Sequence, residues 1–262
     1  MTSRAELLLA CHDKARSLPA EREHPLTDLN EARETLDAIV ARRRLRGEHP
    51  RGYKIGFTNR SIWPLYDVFH PIWGPVYDTT LALLEEPHAT LSVAGFVEPR
   101  LEPEIAFGLA RTPASDEPGD LVAAIDWYAH GFEVVQSVYP AWRFTGAEAF
   151  AAQALHGALR VGPRRPLAEL ADPVIDLAAL TVELSLDGRP VATGHGALVL
   201  DSPVLALGHL VRELARLGRT LHAGDVVTTG TLTDAQPMHA GQHWTVRFAG
   251  APLRGIDLTV TA

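Results

Sequence analysis

The chain has 262 residues, of which 46% are hydrophobic and 21% charged, as in an ordinary globular protein. Its 24 lysines and arginines against 32 aspartates and glutamates give a net charge of -8, which offers no general attraction for nucleic acid or an anionic membrane. The single cysteine, Cys11, excludes an intramolecular disulfide and a CxxC motif, so we expect a cytoplasmic protein. No apolar run approaches the roughly 20 residues that span a bilayer, and we expect neither a signal peptide nor an anchor.

Two helices are predicted at the start of the chain. Ser3 and Glu6 form the S-x-x-E pattern of a capping box, which predicts a helix through about residue 16. Asp28 and Glu31 repeat this pattern, and Gly47 follows a basic run as the end of a second helix. Residues 1–50 are therefore predicted to be a helical extension packed on a single β-rich body, residues 51–262.

The body reads mostly as sheet, with short apolar runs broken by Gly and Pro. Asp187 and Gly188 are a strong hairpin signal, and helices are predicted at about 120–129 and 203–217. The fold class is α+β. The predicted strands are "YKIGFT", "ATLSV", "EIAFGLA", "EVVQSV", "ALRVG", "TVELSL", "DVVTTG", "HWTVRF" and "GIDLTV".

Three acidic residues stand where a buried strand would carry leucines. Glu102 and Glu104 are two residues apart, so they share one face of a strand, and Pro103 between them indicates an edge or kinked strand. Glu133 lies after a predicted helix, at the head of another apolar strand. A solvated strand face would also explain an E-x-E pair. Three carboxylates on β scaffolding, however, suit Mg2+ or Mn2+ better than zinc, which prefers nitrogen and sulfur ligands.

The sequence contains an ordered series of motifs: "YKIGFT", "GPVYD", "LEPEIAFGL", "HGFEVVQS" and "AGDVVTTG". This series resembles the fumarylacetoacetate hydrolase superfamily, and within it the branch of 2-keto-4-pentenoate hydratase and 4-oxalocrotonate decarboxylase. The resemblance implies a mixed β-roll with helices around it and a divalent metal held by Glu102, Glu104 and Glu133. The branch often has an acidic residue where Gln136 stands here, which alters the charge near the site.

The resemblance also implies roles in catalysis. Lys54 matches the branch's lysine, and beside a bound cation its pKa would be lowered, making it an acid or base near neutrality. Asp78 aligns with an acidic position and could orient water or the lysine. A turn aspartate is an equally good interpretation of Asp78.

Other residues are candidates for binding and support. Thr229, Gly230 and Thr231 could cradle a substrate carboxylate, although a simple hairpin would also place a glycine there. His130 is predicted to orient Glu133 through a hydrogen bond, with Gln136 also close to the metal ligands.

The expected substrate is a small 2-oxo acid or its dienol, as in aromatic catabolism. The preferred reaction is hydration of a 2-hydroxy-2,4-dienoate to a 4-hydroxy-2-oxo acid, that is, a hydro-lyase. The alternative is decarboxylation of a 2-oxo-3-enedioate. C–C hydrolysis of an acylpyruvate and an inactive partner subunit also stay open. A homo-oligomer is predicted, or a complex with a related hydratase or decarboxylase.

Overall fold

The computed structural model describes residues 3–21, 24–66 and 68–262. Within these ranges, none of the helices combines the length and the apolar character that a membrane span requires. Short 3-10 turns connect several elements. The α-helices are α1 (Arg4–Asp13), α2 (Leu29–Leu45), α3 (Trp63–Tyr66), α4 (Pro118–Ala124), α5 (Gly146–Ala151), α6 (Pro173–Ala179) and α7 (Pro203–Arg216).

Strands make up most of the remaining secondary structure. They are β1 (Pro50–Gly56), β2 (Ile72–Tyr77), β3 (Leu81–Leu83), β4 (His88–Ser92), β5 (Arg100–Leu109), β6 (Ile125–Val135), β7 (His156–Val161), β8 (Arg165–Pro166), β9 (Thr181–Leu186), β10 (Arg189–His195), β11 (Val226–Thr231), β12 (Gln236–Pro237), β13 (His243–Ala249) and β14 (Asp257–Thr261).

Two mixed sheets organise the described residues. The larger has the order β2-β1-β11-β5-β6-β7-β3, with β12 paired to β5 and β8 to β6. The smaller has the order β10-β9-β13-β14-β4. Parallel pairs (β1 with β11, β3 with β7, β14 with β4) occur among antiparallel ones. The mixed sheet architecture predicted from the sequence is therefore present.

The N-terminal helices begin where the caps predict. Ser3 and Glu6 form the reciprocal capping box of α1, and the Asp28 side chain accepts a hydrogen bond from the backbone of Glu31 at the start of α2. Apolar residues of both helices belong to the same buried cluster as the β-rich body. Whether residues 1–50 form a distinct extension stays a prediction.

The predicted helix at 120–129 is wrong in its second half. Helix α4 ends at Ala124, and the chain continues directly into the long strand β6, which carries Glu133 near its end and not at its head. β6 lies in the interior of the larger sheet, between β5 and β7. Residues 125–129 pair with β5, and Trp127 and Tyr128 also pair with β8, so strand pairing outweighs a local helix preference.

Pro103 does not mark an edge strand either. β5 is central, with β6 on one side and β11 and β12 on the other. Proline lacks an N–H, but its carbonyl accepts a hydrogen bond from Leu232 N, and the β5–β11 register shifts between Thr228 and Thr231. This irregularity accommodates a proline within the sheet.

A strained turn separates α5 from β7. Gln153, Ala154 and Leu155 all have positive φ, at 61°, 51° and 65°, a conformation unfavourable for residues with a Cβ. Arg43 of α2 donates a hydrogen bond to Gln153 Oε1. Gly74 of β2 lies against this turn, and a Cβ there would be 2.2 Å from Gln153 O. The turn therefore depends on the absence of a side chain at Gly74.

Replacing Gly74 with alanine should reduce the free energy of unfolding by about 3 kcal/mol or more, because neither backbone can yield without further strain. Urea denaturation measures this change. Gly95→Ala is the matched control, since a Cβ there meets nothing within 4 Å. Equal effects of the two substitutions would contradict the proposed packing constraint.

Candidate metal and active site

The three glutamates converge on one face of the larger sheet. Glu102 is directly opposite Glu133 in the antiparallel β5–β6 register, and Glu104 is two residues farther along β5. One oxygen from each carboxylate lies within 4.8 Å of the others. Alternation along the two strands therefore produces the predicted grouping.

This grouping is electrostatically costly by itself. Glu104 and Glu133 are fully buried, and Glu102 is partly exposed to a cavity. Burial raises the pKa of all three carboxyls, and their mutual repulsion raises the pKa of Glu102 and Glu104 further. Like charges on opposing strand positions destabilise a sheet. A hard divalent cation would neutralise this repulsion.

Lys54 supplies one compensating charge. This buried side chain on β1 has its Nζ 3.2 Å from Glu133 Oε2, and it donates a hydrogen bond to Ala154 O at 3.1 Å. Burial favours the neutral amine, but the negative charges of the glutamates outweigh it and raise the pKa of Lys54. The lowered pKa predicted from the sequence presupposed a bound cation; the carboxylates alone act in the opposite direction.

His156, at the start of β7, holds the other oxygen of Glu133. Its Nδ1 is 2.8 Å from Glu133 Oε1, and its Nε2 is 2.8 Å from Thr80 Oγ1. Burial lowers the pKa of His156 well below its usual value, so the ring is neutral. When Glu133 is ionised its oxygens only accept hydrogen bonds, and Nδ1 is then the donor. Glu133 is thereby fixed between Lys54 and His156.

Glu104 is oriented by the backbone of β11. Gly230 N donates to Glu104 Oε2 at 2.9 Å, whereas Glu104 Oε1 has no hydrogen-bond partner among the described residues. Gly230 has a φ of 109°, and a Cβ there would lie 1.9 Å from Thr58 Oγ1. Both the positive φ and the lack of space for a Cβ therefore require a glycine at this position. The buried, unpaired oxygen and the hard donor set fit a cation such as Mg2+ or Mn2+.

The neighbouring threonines point to different surroundings. Thr231 lines the cavity, with its hydroxyl donating to Thr233 O. Thr229 is buried, and its hydroxyl donates to Ile105 O on the adjacent strand. The structure thus brings Gly230 and Thr231 to the site and uses Thr229 to join two strands.

A cavity of about 250 Å³ reaches Glu102 of the three glutamates. Its polar residues include Lys54, Glu102 and Arg100, and much of its remaining wall is apolar or aromatic. Phe57, Tyr66 and Phe144 form a continuous stack, with ring centroids 5.0 and 5.1 Å apart. The cavity is large enough for a small organic acid, whose carboxylate could approach the glutamates if a cation lay between them.

Asp78 is not part of this arrangement. It is exposed in the turn after β2, where its side chain accepts a hydrogen bond from His49 N. The register partner of Lys54 on β2 is Gly74, four residues before Asp78. The turn interpretation describes this residue, and the predicted contact with the lysine is absent.

His130 lies on the opposite face of β6 from Glu133. Its Nδ1 accepts a hydrogen bond from Ile256 N, and its ring contacts Phe132 and Phe248. The prediction that His130 contacts Glu133 is wrong, because the histidine hydrogen-bonded to Glu133 is His156. Period-two alternation, applied to positions 130 and 133, would have excluded His130.

Gln136 is also outside the carboxylate cluster. Its Oε1 accepts a hydrogen bond from Val97 N, and its Nε2 is 3.3 Å from His12 Nδ1 of α1. A neutral amide at this position therefore links the N-terminal helix to the body and leaves the three carboxylates untouched.

Sequence reasoning missed two contributors, His156 and the carbonyl of Ala154. Both follow from the strained turn before β7, which no local turn signal in "AAQALHG" indicates. The segment lies between two of the resemblance motifs, "HGFEVVQS" and "AGDVVTTG", and belongs to neither. The available signal for His156 was a histidine at the start of a predicted strand. Histidines at such positions are too common to indicate a functional residue.

Comparison with known protein families identifies the fold. The model of the family described as fumarylacetoacetate (FAA) hydrolase C-terminal matches residues 75–255, more than half of the chain. The chain therefore belongs to the fumarylacetoacetate hydrolase family. The resemblance predicted from the motifs is confirmed.

Particular relatives cover nearly the whole chain. It is 30% identical over 251 residues to a 2-hydroxyhexa-2,4-dienoate hydratase of Comamonas testosteroni, covering 94% of this chain and 92% of that protein. It is 31% identical over 214 residues to a 4-oxalocrotonate decarboxylase of Pseudomonas sp, covering 81% and 80%.

A solved structure shares the fold. The 4-oxalocrotonate decarboxylase from Pseudomonas putida G7, complexed with magnesium and adipate, superposes with a TM-score of 0.89 at 25% identity and covers 98% of this chain and 95% of that one. The predicted α+β fold class, a mixed β-roll with N-terminal helices, is confirmed.

The burial of His130 predicts a pH dependence of stability. Burial lowers its pKa from 6.5 to about 3. Since the unfolded state then binds the proton more readily, this contribution to stability is complete above about pH 6.5 and is lost as the pH falls toward 3. Between pH 7.5 and 4 the free energy of unfolding should fall by about 3 kcal/mol through this group. His130→Asn, which keeps an acceptor for Ile256 N, should remove that fall.

Urea unfolding of both proteins from pH 7.5 to 4 measures this difference. His239→Asn is the control, because His239 is exposed. Parallel stability curves for wild type and His130→Asn would show that His130 does not titrate in the way its burial requires.

Proposed function

We propose that this protein is a metal-dependent hydro-lyase that adds water to a 2-hydroxy-2,4-dienoate and forms a 4-hydroxy-2-oxo acid. The observation that carries the proposal is the convergence of three acidic ligands and a buried lysine at the base of an apolar cavity. The similarity to the Comamonas testosteroni hydratase over 94% of the chain supports the same reaction.

The proposed metal ligands are Glu102, Glu104 and Glu133, and the expected ion is Mg2+ or Mn2+. Three carboxylates would supply only part of the coordination shell of such an ion, so water or substrate would supply the other ligands. A divalent cation bound there would take the substrate's C1 carboxylate and C2 oxygen as ligands and stabilise negative charge on that oxygen.

Lys54 is the proposed proton carrier. The reaction removes a proton from the C2 hydroxyl and delivers one to C5; water then adds its oxygen at C4 and a proton at C3. Lys54 Nζ lines the cavity and is held by Glu133 and Ala154 O, which leaves an N–H directed away from both contacts. Charge brought by a cation would lower its pKa toward the range useful for proton transfer.

The cavity wall orients the substrate and limits water. The stacked rings of Phe57, Tyr66 and Phe144 provide a flat apolar surface for a conjugated chain. Gly230 fixes Glu104, and Thr231 is the proposed polar contact for the substrate head. Thr229 would act through the strand pairing that it supports.

Decarboxylation of a 2-oxo-3-enedioate is the second candidate. It would use the same ligands and the same stabilised negative charge, with CO2 departing in place of water addition. The superposition with the Pseudomonas putida G7 decarboxylase over 98% of the chain favours keeping it. Product analysis separates the two reactions.

A homo-oligomer, or a complex with a related hydratase or decarboxylase, is part of the proposal, as is a cytoplasmic location. The buried free thiol of Cys11 suits a reducing compartment. Light scattering of the purified protein, with and without such a partner, tests the assembly.

The function is tested by following the dienol absorbance of 2-hydroxypenta-2,4-dienoate with purified protein, with and without Mg2+. We expect Mg2+-dependent decay with 4-hydroxy-2-oxopentanoate as product. Lys54→Met should lower kcat by about 100-fold or more, because it removes the proton carrier. The exposed Lys14→Met is the control and should retain wild-type activity.

Wild-type protein that leaves the dienol unchanged in both conditions would refute hydration of this substrate. Formation of CO2 from 2-oxohex-3-enedioate would then favour the decarboxylase. Lys54→Met with full activity would remove the lysine from the mechanism without affecting the metal assignment.

Metal binding should reverse the effect of Glu104→Gln on stability. Without metal, the variant should be more stable than wild type by about 1 kcal/mol, since it removes a buried, repelled charge. At Mg2+ about 100-fold above its Kd, wild type should gain about 2.7 kcal/mol and the variant almost none.

Chemical denaturation with EDTA or Mg2+ measures both effects, and the exposed Glu34→Gln is the control. Equal stabilisation of wild type and Glu104→Gln by Mg2+ would count against the three-glutamate site and leave the inactive-subunit interpretation in place.

A further inference from the structure

Arg100 is a second cation in the cavity wall with no assigned role. It is two residues before Glu102 on β5, so its side chain is on the same face of the strand, and it lines the cavity. Within residues 3–21, 24–66 and 68–262, its guanidinium makes no hydrogen bond or ion pair. A half-buried arginine without such partners is available to an anion.

The aromatic ring of Trp142 holds this guanidinium. Arg100 Cζ lies 4.1 Å from the ring centroid. The indole Nε1 donates to Glu98 O at 3.0 Å, and Ala141 N donates to Glu98 Oε1 at 3.0 Å. Both contacts fix the strained turn that carries Trp142, whose φ is 56°. Stacking covers one face of the guanidinium and leaves the N–H donors at its edge free.

Arg100 is the first residue of β5 and lies before the two glutamates of that strand. Two residues along a strand span roughly 7 Å, so a short dicarboxylate of about six carbons could reach from the glutamates to Arg100. The cavity wall also includes the apolar side chains of Val135, the register partner of Arg100, and Phe144. Asp234 also lines the cavity, but it is exposed at the rim.

We propose that Arg100 determines substrate specificity by binding a distal carboxylate, so that the protein prefers a dicarboxylic 2-oxo or 2-hydroxydienoic acid to a monocarboxylic one. The inference rests on the proposed function, because it places the C1 end of the substrate at Lys54 and the glutamates. Planar, bidentate recognition of a carboxylate is the contact for which an arginine fork is suited.

This contact also bears on the reaction. A carboxylate paired with Arg100 keeps its negative charge throughout hydration. Loss of the same group as CO2 would leave the guanidinium without its partner, so the pairing stabilises the ground state more than the transition state. Arg100 therefore favours hydration of a dicarboxylate over its decarboxylation.

The test is a binding comparison of 2-oxoadipate with 2-oxohexanoate in the presence of Mg2+, measured by calorimetry. The two acids differ in the distal carboxylate, and neither has the double bond needed for hydration. We expect wild type to bind 2-oxoadipate about 30-fold more tightly, as a charge-assisted contact of this kind allows. Arg100→Gln should abolish this preference and change 2-oxohexanoate binding by less than about threefold.

Two further variants define the interaction. Arg100→Lys keeps the charge but loses the planar fork, and should retain a smaller preference. Arg189→Gln removes an arginine from the exposed strand β10 and should behave as wild type.

Equal affinity of wild type for the two acids, binding of neither, or a preference that survives Arg100→Gln would overturn the assignment. Failure of the proposed function alone would give a different result. The protein would then prefer 2-oxoadipate to 2-oxohexanoate in calorimetry but would not consume the dienol. Equal weakening of both acids by Arg100→Gln would instead place Arg100 at the substrate head and would also overturn the proposal.

Discussion

The concentration of negative charge inside the larger sheet is the constraint on which the site depends. Glu102 and Glu133 face each other across paired strands, and Glu104 adds a third carboxylate at the same level. Lys54 offsets one charge. Burying the remainder is unfavourable in a low-dielectric interior, so the arrangement makes physical sense when a divalent cation completes it. Without such a cation, the cluster lowers the stability of the fold at this point.

The surrounding backbone holds these side chains at some cost. Gly230 adopts a φ of 109° to direct its N–H at Glu104, and three consecutive residues before β7 have positive φ, so that Ala154 O meets Lys54. Such strain persists when neighbouring packing determines it completely. Gly74 provides that packing by its lack of a side chain. The three glutamates, the lysine and the strained turn are therefore held together by the same packing.

Much of this could be predicted from the sequence. Strand alternation placed Glu102 and Glu104 on one face, the Ser3 capping box located α1, and Asp187 and Gly188 form the predicted hairpin turn. The ordered motifs identified the family. Local sequence signals do not predict which distant strands pair. Residues 125–129 belong to a strand through such pairing, where the local pattern predicts a helix. Strand pairing also put His156, and not His130, beside Glu133.

The metal site is tested most directly by X-ray diffraction from crystals grown with Mn2+, recorded at a wavelength where manganese scatters anomalously. We expect one strong anomalous peak in contact with carboxylate oxygens of Glu102, Glu104 and Glu133, at the oxygen distances typical of such ions. A crystal grown at saturating Mn2+ with no peak at these three residues, or with a peak bound only elsewhere, would contradict the claim that this charge cluster is a metal site.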